Sequence, residues 1–389
     1  MTTRKDHTAT TQITTTHADD NRVPAEVDAR LTALVESVAA RRNIHHVNMA
    51  VASGDGSRRW AAAAGPAEPG HGPVRPETPF FVASVTKRFI ITLVLQAHER
   101  GELDLDASIT AYLPDEVTDG LHVLRGVDRT SEITIRHLAS HTAGLPDFFE
   151  KPRSGGPSLF DRLRAGEDVS WDFDDVVRMA RDEHRPHFEP QDLTASKQKA
   201  RYSDTGFQLL IRIVETVGGG GFGELLTERI CLPVGLSHTW LPGRSTPLLP
   251  SDDPSALYSK DRRFDLPEMI ESSNDLISTT RDLLTFNRAL LAGELFHDPD
   301  TVELLTERSN RLRNIFTIRY GLGTMIFKIA RPFAPGRRPA TLVGHSGATG
   351  TWLFHCPELD VHLAGTVDQT KGEATPFRLM VKVLRAFES

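Results

Sequence analysis

Residues 80–99 carry Phe89, Ile90, Ile91, Leu93, Val94, Leu95 and Ala97, which a helical period spreads nearly all the way round the axis. A helix of that kind cannot lie on a surface with one face in water. It must be covered on most sides, so the fold has to supply layers around it. Gly101 supplies the stop. The chain of 389 residues can build such a core, and length alone allows one large domain or two or three smaller ones.

The covering elements are legible at both ends. Residues 24–42 repeat Val27, Leu31, Leu34, Val35 and Val38 with a helical period. Residues 46–52 and 59–64 are short apolar runs flanking Gly54-Asp55-Gly56-Ser57, a hairpin signal. Near the other end, residues 320–328, 340–345, 351–355 and 361–367 read as four short strands, and residues 376–387 as a closing helix. The middle, about 104–265, is loop-rich with scattered helices, clearest at 209–217 and 222–229; further helices are expected at 278–291 and 301–308. The expected class is α/β in the α+β sense. An antiparallel sheet of about five strands, drawn from both chain ends, is flanked by the terminal helices, and a mainly helical lobe is inserted. The implied partition is a disordered arm at 1–22, an α/β domain from 23–105 and 270–389, and a helical insertion at 106–269. A ligand cleft is expected between the lobes.

Charge and composition remove several classes of function. The net charge of −7, with cations spread along the chain, offers no basic patch for nucleic acid. Residues 1–22 hold no apolar run of the kind a secretory signal needs, and no stretch approaches the ~20 apolar residues of a membrane span. A cytoplasmic protein without a membrane partner is therefore expected; oligomeric state is left open. Cys231 and Cys356 match no metal or redox spacing and read as buried free thiols. The pairs His184/His187 and His45/His46 lack a third ligand, so no metal site and no cofactor are expected. The glycines at 218–221 lack a following Lys-Ser/Thr and read as a turn between helices.

Three short constellations carry chemistry. Ser84-Val85-Thr86-Lys87 opens the buried helix, and residues three apart share a helix face. A serine hydroxyl is a weak nucleophile until a base takes its proton. A lysine of ordinary pKa near ~10.4 is a poor base, but burial can lower that value. The helix N-terminus also offers unpaired N–H groups to an oxyanion. Read alone, the pattern is better taken as a serine cap with a first-turn lysine. Tyr202-Ser203-Asp204 precedes another helical stretch; Tyr202 can carry a proton, and the same triplet can simply cap that helix. His345-Ser346-Gly347-Ala348 ends one expected strand; its glycine permits close backbone approach, and in isolation the segment is better taken as an ordinary hairpin connection.

Taken in order, Ser-x-x-Lys, then Tyr-x-Asp, then His-Ser-Gly near the C-terminus, the chain resembles the penicillin-binding-protein and serine β-lactamase family. It is most similar to the branch of class C β-lactamases, soluble D-Ala-D-Ala carboxypeptidases, D-aminopeptidases and β-lactamase-like esterases and transacylases. Residues 138–145 (LASHTAGL), 202–207 (YSDTGF), 276–283 (LISTTRDL), 320–323 (YGLG) and 344–350 (GHSGATG) share that likeness. The resemblance implies an acyl-enzyme on Ser84, with Lys87 and Tyr202 sharing the proton work and no cofactor. The N–H groups of Ser84 and Ala348 would hold the oxyanion. His345, Ser346, Gly347 and Asp204 would line the substrate side, and His141 would be structural. Two residues depart from the pattern. Asp204 stands where many relatives have Asn, which should raise the Lys87 pKa and favour Tyr202 as base or a merely positioning Lys–Asp pair. His345 stands where β-lactamases usually have Lys, which weakens binding of a substrate carboxylate. The expected substrate is then a small neutral ester or amide, or an amine-bearing one, handled by an esterase, amidase or transacylase. Alternatives are D-Ala-D-Ala carboxypeptidase, D-aminopeptidase or β-lactamase activity, or a catalytically silent scaffold.

Overall fold

Strands from the two ends of the chain meet in one antiparallel sheet. A computed structural model describes residues 15–67, 72–370 and 375–388. In chain order the strands are β1 (Thr15–His17), β2 (Val47–Ser53), β3 (Arg59–Ala64), β4 (Asn310–Arg311), β5 (Arg319–Tyr320), β6 (Met325–Ile329), β7 (Ala340–Ser346), β8 (Trp352–Cys356) and β9 (Val361–Thr366). They lie side by side as β1-β3-β2-β9-β8-β7-β6-β5-β4. The closing seam is β9 on β2, in register from Val361 opposite Ser53 to Thr366 opposite Asn48.

Both faces of the sheet's centre are covered, so β9 is buried throughout. On the outer face lie the helices α1 (Ala25–Ala39) and α5 (Thr375–Glu388). Val27, Leu31, Val35 and Val38 of α1 and Leu379, Met380, Val383, Leu384 and Phe387 of α5 pack with Trp352 and Phe354. The other face meets α2 (Thr86–Glu99) and α4 (Thr280–Leu291), and α3 (Asp204–Gly218) packs on α2. Every residue of α2 from Thr86 to Ala97 is buried, as its all-round apolar pattern requires. Phe89 of α2 stacks on Phe286 of α4 with ring centroids 3.7 Å apart. The glycine run ends α3: Gly219 adopts φ +71° at the cap.

The sheet is wider than the five or so strands expected. β4 and β5 have two residues each, too short to show a period. The expected strand 320–328 is cut by a turn at Gly321–Gly323, where Gly323 has φ +54° and a Cβ would lie 2.6 Å from Ile91 of α2. The last residues of the expected disordered arm are ordered: Thr15–His17 pair with Ala62–Ala64, and Asn21 bonds both polar groups of Ala61. An open β3 edge would leave unpaired backbone groups, and these residues cover it; residues 1–14 lie outside the described residues. Residues 299–305 form a 3-10 helix rather than the α-helix expected at 301–308. Among the described residues no helix is long and apolar enough to cross a membrane. Cys231 and Cys356 are buried and unpaired.

Candidate active site

Ser84 sits in a 3-10 turn (Ala83–Val85) that feeds directly into α2. The turn is strained: Ala83 has φ +48°, unusual for a residue with a Cβ. One helical turn on, Lys87 is buried and its Nζ donates to Ser84 Oγ at 3.1 Å. Tyr202 arrives from the other side of the cleft, and its Oη donates to the same Oγ at 2.9 Å. The Tyr202 backbone is pinned by Asn314, whose amide bonds both its N–H and its C=O. Ser203 occupies the N-cap position of α3 but gives its hydroxyl to Pro146 O, so the capping alternative for its side chain is not what the fold uses. Asp204, first residue of α3, pairs with Lys87 Nζ in a hydrogen-bonded ion pair.

The third constellation closes the cleft from β7. A Cβ on Gly347 would lie 2.7 Å from Val82 O and 3.0 Å from Ala83 Cβ, so only glycine lets this strand end touch the nucleophile turn. Thr351 Oγ1 reinforces the contact by donating to Val82 O. Among the described residues nothing accepts from the N–H of Ser84 or of the exposed Ala348, which leaves both free for a ligand oxygen. Ser346 Oγ is turned towards Met325 Sδ. His345 is fully buried and lies one layer back. Its Nδ1 meets Ser346 O at 2.8 Å and its Nε2 meets Tyr320 Oη at 2.9 Å. With Nδ1–H donating to the carbonyl, Nε2 accepts from the phenol.

The charges around Ser84 set its protonation. Burial works to lower the Lys87 pKa, but Asp204 and then Asp275 outweigh it, and the net shift is upward. Tyr202 is pushed well above its usual range by burial and by the charge of Asp204. This runs against the expectation that Tyr202 becomes the favoured base: the carboxylate that holds Lys87 charged also disfavours a phenolate. Burial, then Lys87, hold His345 and His141 well below the ordinary histidine range, so both are neutral.

Several neighbours escaped the sequence reading. Asp147 follows the 138–145 stretch, carries no ion pair among the described residues, and has its carboxyl pushed well up by burial and by Asp204. Asp275 precedes the 276–283 stretch, and burial raises its pKa to about 6. Arg88 is wholly buried and, among the described residues, bonds only through Nη1, to Thr324 Oγ1; burial lowers its pKa to about 10. His141, which the sequence did single out as structural, has φ +58° and packs its ring 4.5 Å from that of Tyr202 and 4.3 Å from that of Tyr320. The earlier histidine pairs do not converge on a common point: His184 bonds Met179 O and Glu150 O, His187 bonds Glu150, and His45 stacks on Tyr258 while His46 bonds Asp368.

The sequence profile of the family described as Beta-lactamase matches residues 31–383. The chain belongs to that family. Among its relatives is Penicillin-binding protein 4* of Bacillus subtilis, 25% identical over 269 residues, 65% of this chain and 53% of that protein. Esterase EstB of Burkholderia gladioli is 33% identical over 161 residues, 40% of this chain and 38% of the esterase. The chain thus matches about half or less of the length of these relatives. Solved structures share the fold. D-amino acid amidase of Ochrobactrum anthropi SV3 superposes with a TM-score of 0.74 at 21% identity, covering 94% of this chain and 100% of the amidase. EstCE1, described as a hydrolase with promiscuous acyltransferase activity, gives 0.72 at 20% identity over 94% and 99%. The family and fold implied by the three ordered motifs are those found.

Proposed function

We propose that the protein is a serine hydrolase that forms an acyl-enzyme on Ser84 from a small ester or amide. The observation that carries this reading is the convergence of Lys87 Nζ and Tyr202 Oη on one hydroxyl, at 3.1 and 2.9 Å. The relatives named for esterase and amidase activity support the choice of bond.

At rest both partners of Ser84 hold their protons. A base appears when the Lys87–Asp204 hydrogen bond passes its proton onto the carboxylate, leaving a neutral amine and a neutral acid. Exclusion of water by bound substrate favours that neutral pair, because a low dielectric disfavours both charges. Lys87 then takes the Ser84 proton as Oγ attacks. The N–H groups of Ser84 and Ala348 receive the oxyanion. Tyr202, kept protonated by burial and by Asp204, gives its proton to the leaving group and is recharged with the one that Lys87 took from Ser84, so no phenolate remains. Ser346 and Gly347 shape the rim, while His345 fixes Tyr320 behind it. Water or another nucleophile releases the acyl group, and no cofactor takes part.

The substrate is neutral or amine-bearing rather than anionic. His345 has both nitrogens engaged and is neutral, so it offers no cation to a carboxylate. Asp147, whose carboxyl accepts from the Phe149 N–H, and Asp204, paired with Lys87, add acids rather than cations on this side, which suits a neutral or amine-bearing substrate. A panel of neutral esters, amino-acid amides of both hands, β-lactams and D-Ala-D-Ala peptides, run on wild type and Ser84→Ala, tests the reading. Turnover of esters or amides lost in Ser84→Ala supports it. Turnover of β-lactams or D-Ala-D-Ala peptides alone would overturn the substrate class, and acylation surviving in Ser84→Ala would overturn the nucleophile.

A further inference from the structure

At the far end of β8 from the Gly347 loop, two histidines face each other across the β8–β9 hairpin. His355 of β8 and His362 of β9 are partners in the register, with rings stacked 4.4 Å apart. Asp360, in the turn that joins the strands, brings Oδ1 to 3.3 Å from His355 Nε2. One ligating atom from each of the three lies within 4.8 Å of the others. We propose that His355, Asp360 and His362 bind a divalent transition cation of the zinc type, with solvent completing the sphere.

Three observations support a built site over a chance cluster. First, the hairpin accepts strain to present the acid: Asp360 has φ +48°. Second, the neighbouring β2–β3 turn packs against it. A Cβ on Gly54 would lie 2.1 Å from both Asp360 carboxylate oxygens, and Gly54 N–H donates to Asp360 O at 2.8 Å. Third, an outer partner stands behind a ligand. Asn287 of α4 places its amide 3.0 Å from His362 Nδ1, while its buried Oδ1 has no partner. Turning that amide over lets Oδ1 accept from Nδ1–H, which fixes the tautomer with the Nε2 lone pair free. Amide oxygen and nitrogen are interchangeable in shape, so the turn costs no packing.

The chemistry of the donors selects the ion. Two imidazoles and one carboxylate suit zinc, copper or nickel and not calcium or magnesium, which take oxygen ligands. Both rings resist protonation: burial holds His355 below its usual range, and burial with its neighbour His355 pushes His362 down to about 3. Arg288, whose Nε donates to Gly54 O, faces the same cluster and adds repulsion that the Asp360 carboxylate offsets. Bonds of ~2.0–2.2 Å require the donors to close by roughly 1 Å. Asp360 can supply that movement, because its side chain is 70% exposed and, among the described residues, bonded to His355 alone. A bound ion would tie β8 to β9 roughly 10 Å along the strand from the loop that closes the cleft.

The test is titration of the chelator-stripped full chain with Zn2+, followed by equilibrium metal content and by Tm, with Co2+ absorption reporting imidazole ligation. The expected result is one ion per chain and a Tm that climbs with free Zn2+. His355→Gln, at a half-buried position, should weaken binding by more than tenfold and abolish the Tm rise, and Asp360→Asn should weaken it less. Asn287→Ala should cost about 10- to 100-fold in affinity. Absence of saturable binding by the wild type would overturn the proposal. So would stoichiometric binding that His355→Gln and Asp360→Asn leave intact, since the ion would then sit elsewhere.

Discussion

The two faces of the sheet are built to different rules. The outer face, under α1 and α5, is apolar: Trp352, Phe354, Met380 and Leu384 interlock there with little polar content. The face towards α2 holds buried Lys87, Arg88 and Tyr320 together with half-buried Tyr202, Asp204 and Asp275, and among the described residues Arg88 Nε and Nη2 and His141 Nε2 find no partner. Left-handed Ala83 and His141 add backbone strain on the same side. Burying unpaired polar groups and holding such conformations are each costly. The outer face supplies stability that the cleft side gives up for chemistry, and substitutions on the two faces should separate accordingly.

The sharpest separation is expected at the nucleophile. Ser84→Ala should lower hydrolysis by at least about 10^4-fold while leaving Tm unchanged or raised; a large drop in Tm would break the division. Tyr202→Phe should follow at about 10^2–10^4-fold in kcat, with Tm nearly constant, because only a proton donor is removed. On the outer face the pattern should invert. Leu384→Ala should lose about 2–5 kcal/mol of stability by denaturant unfolding and leave kcat of the remaining folded enzyme near wild type.

The smallest effect concerns pH. Asp275 has a folded pKa of about 6 against 3.8 for a free side chain. A raised acid binds more protons folded than unfolded, so its stabilising contribution is complete below pH 3.8 and is lost as pH rises through 6. Asp275→Asn should remove that decline, giving a flatter stability curve between pH 3.8 and 6 than wild type. An unchanged slope would show that the Asp275 carboxyl titrates normally.

Local patterns were legible and long-range ones were not. Ser84 and Lys87 lie within one turn of one helix, so a period of 3.6 puts them together. Tyr202 reaches Ser84 only through the tertiary fold; the order of three motifs pointed to it, and its spacing alone did not. Asp147, Asp275 and Arg88 stand beside recognisable stretches but look like ordinary loop or helix residues until burial reveals their charge. The direction of the Tyr202 pKa also needed the structure, because Asp204 acts on the phenol as well as on the lysine. In the fold, the terminal helices and the β2–β3 and β7–β9 strands followed from period and turn chemistry. β4, β5 and the turn at Gly321–Gly323 are fixed by packing on neighbours such as Ile91, which no local pattern encodes.

The central claim is that one hydroxyl, held between an amine and a phenol, becomes covalently acylated. Peptide mapping by mass spectrometry after brief exposure to a p-nitrophenyl ester, or to a serine-directed phosphonate, tests it most directly. A single adduct per chain, confined to the peptide containing Ser84, is the predicted result. A folded protein that gains no adduct, or carries it on another residue, would contradict the account.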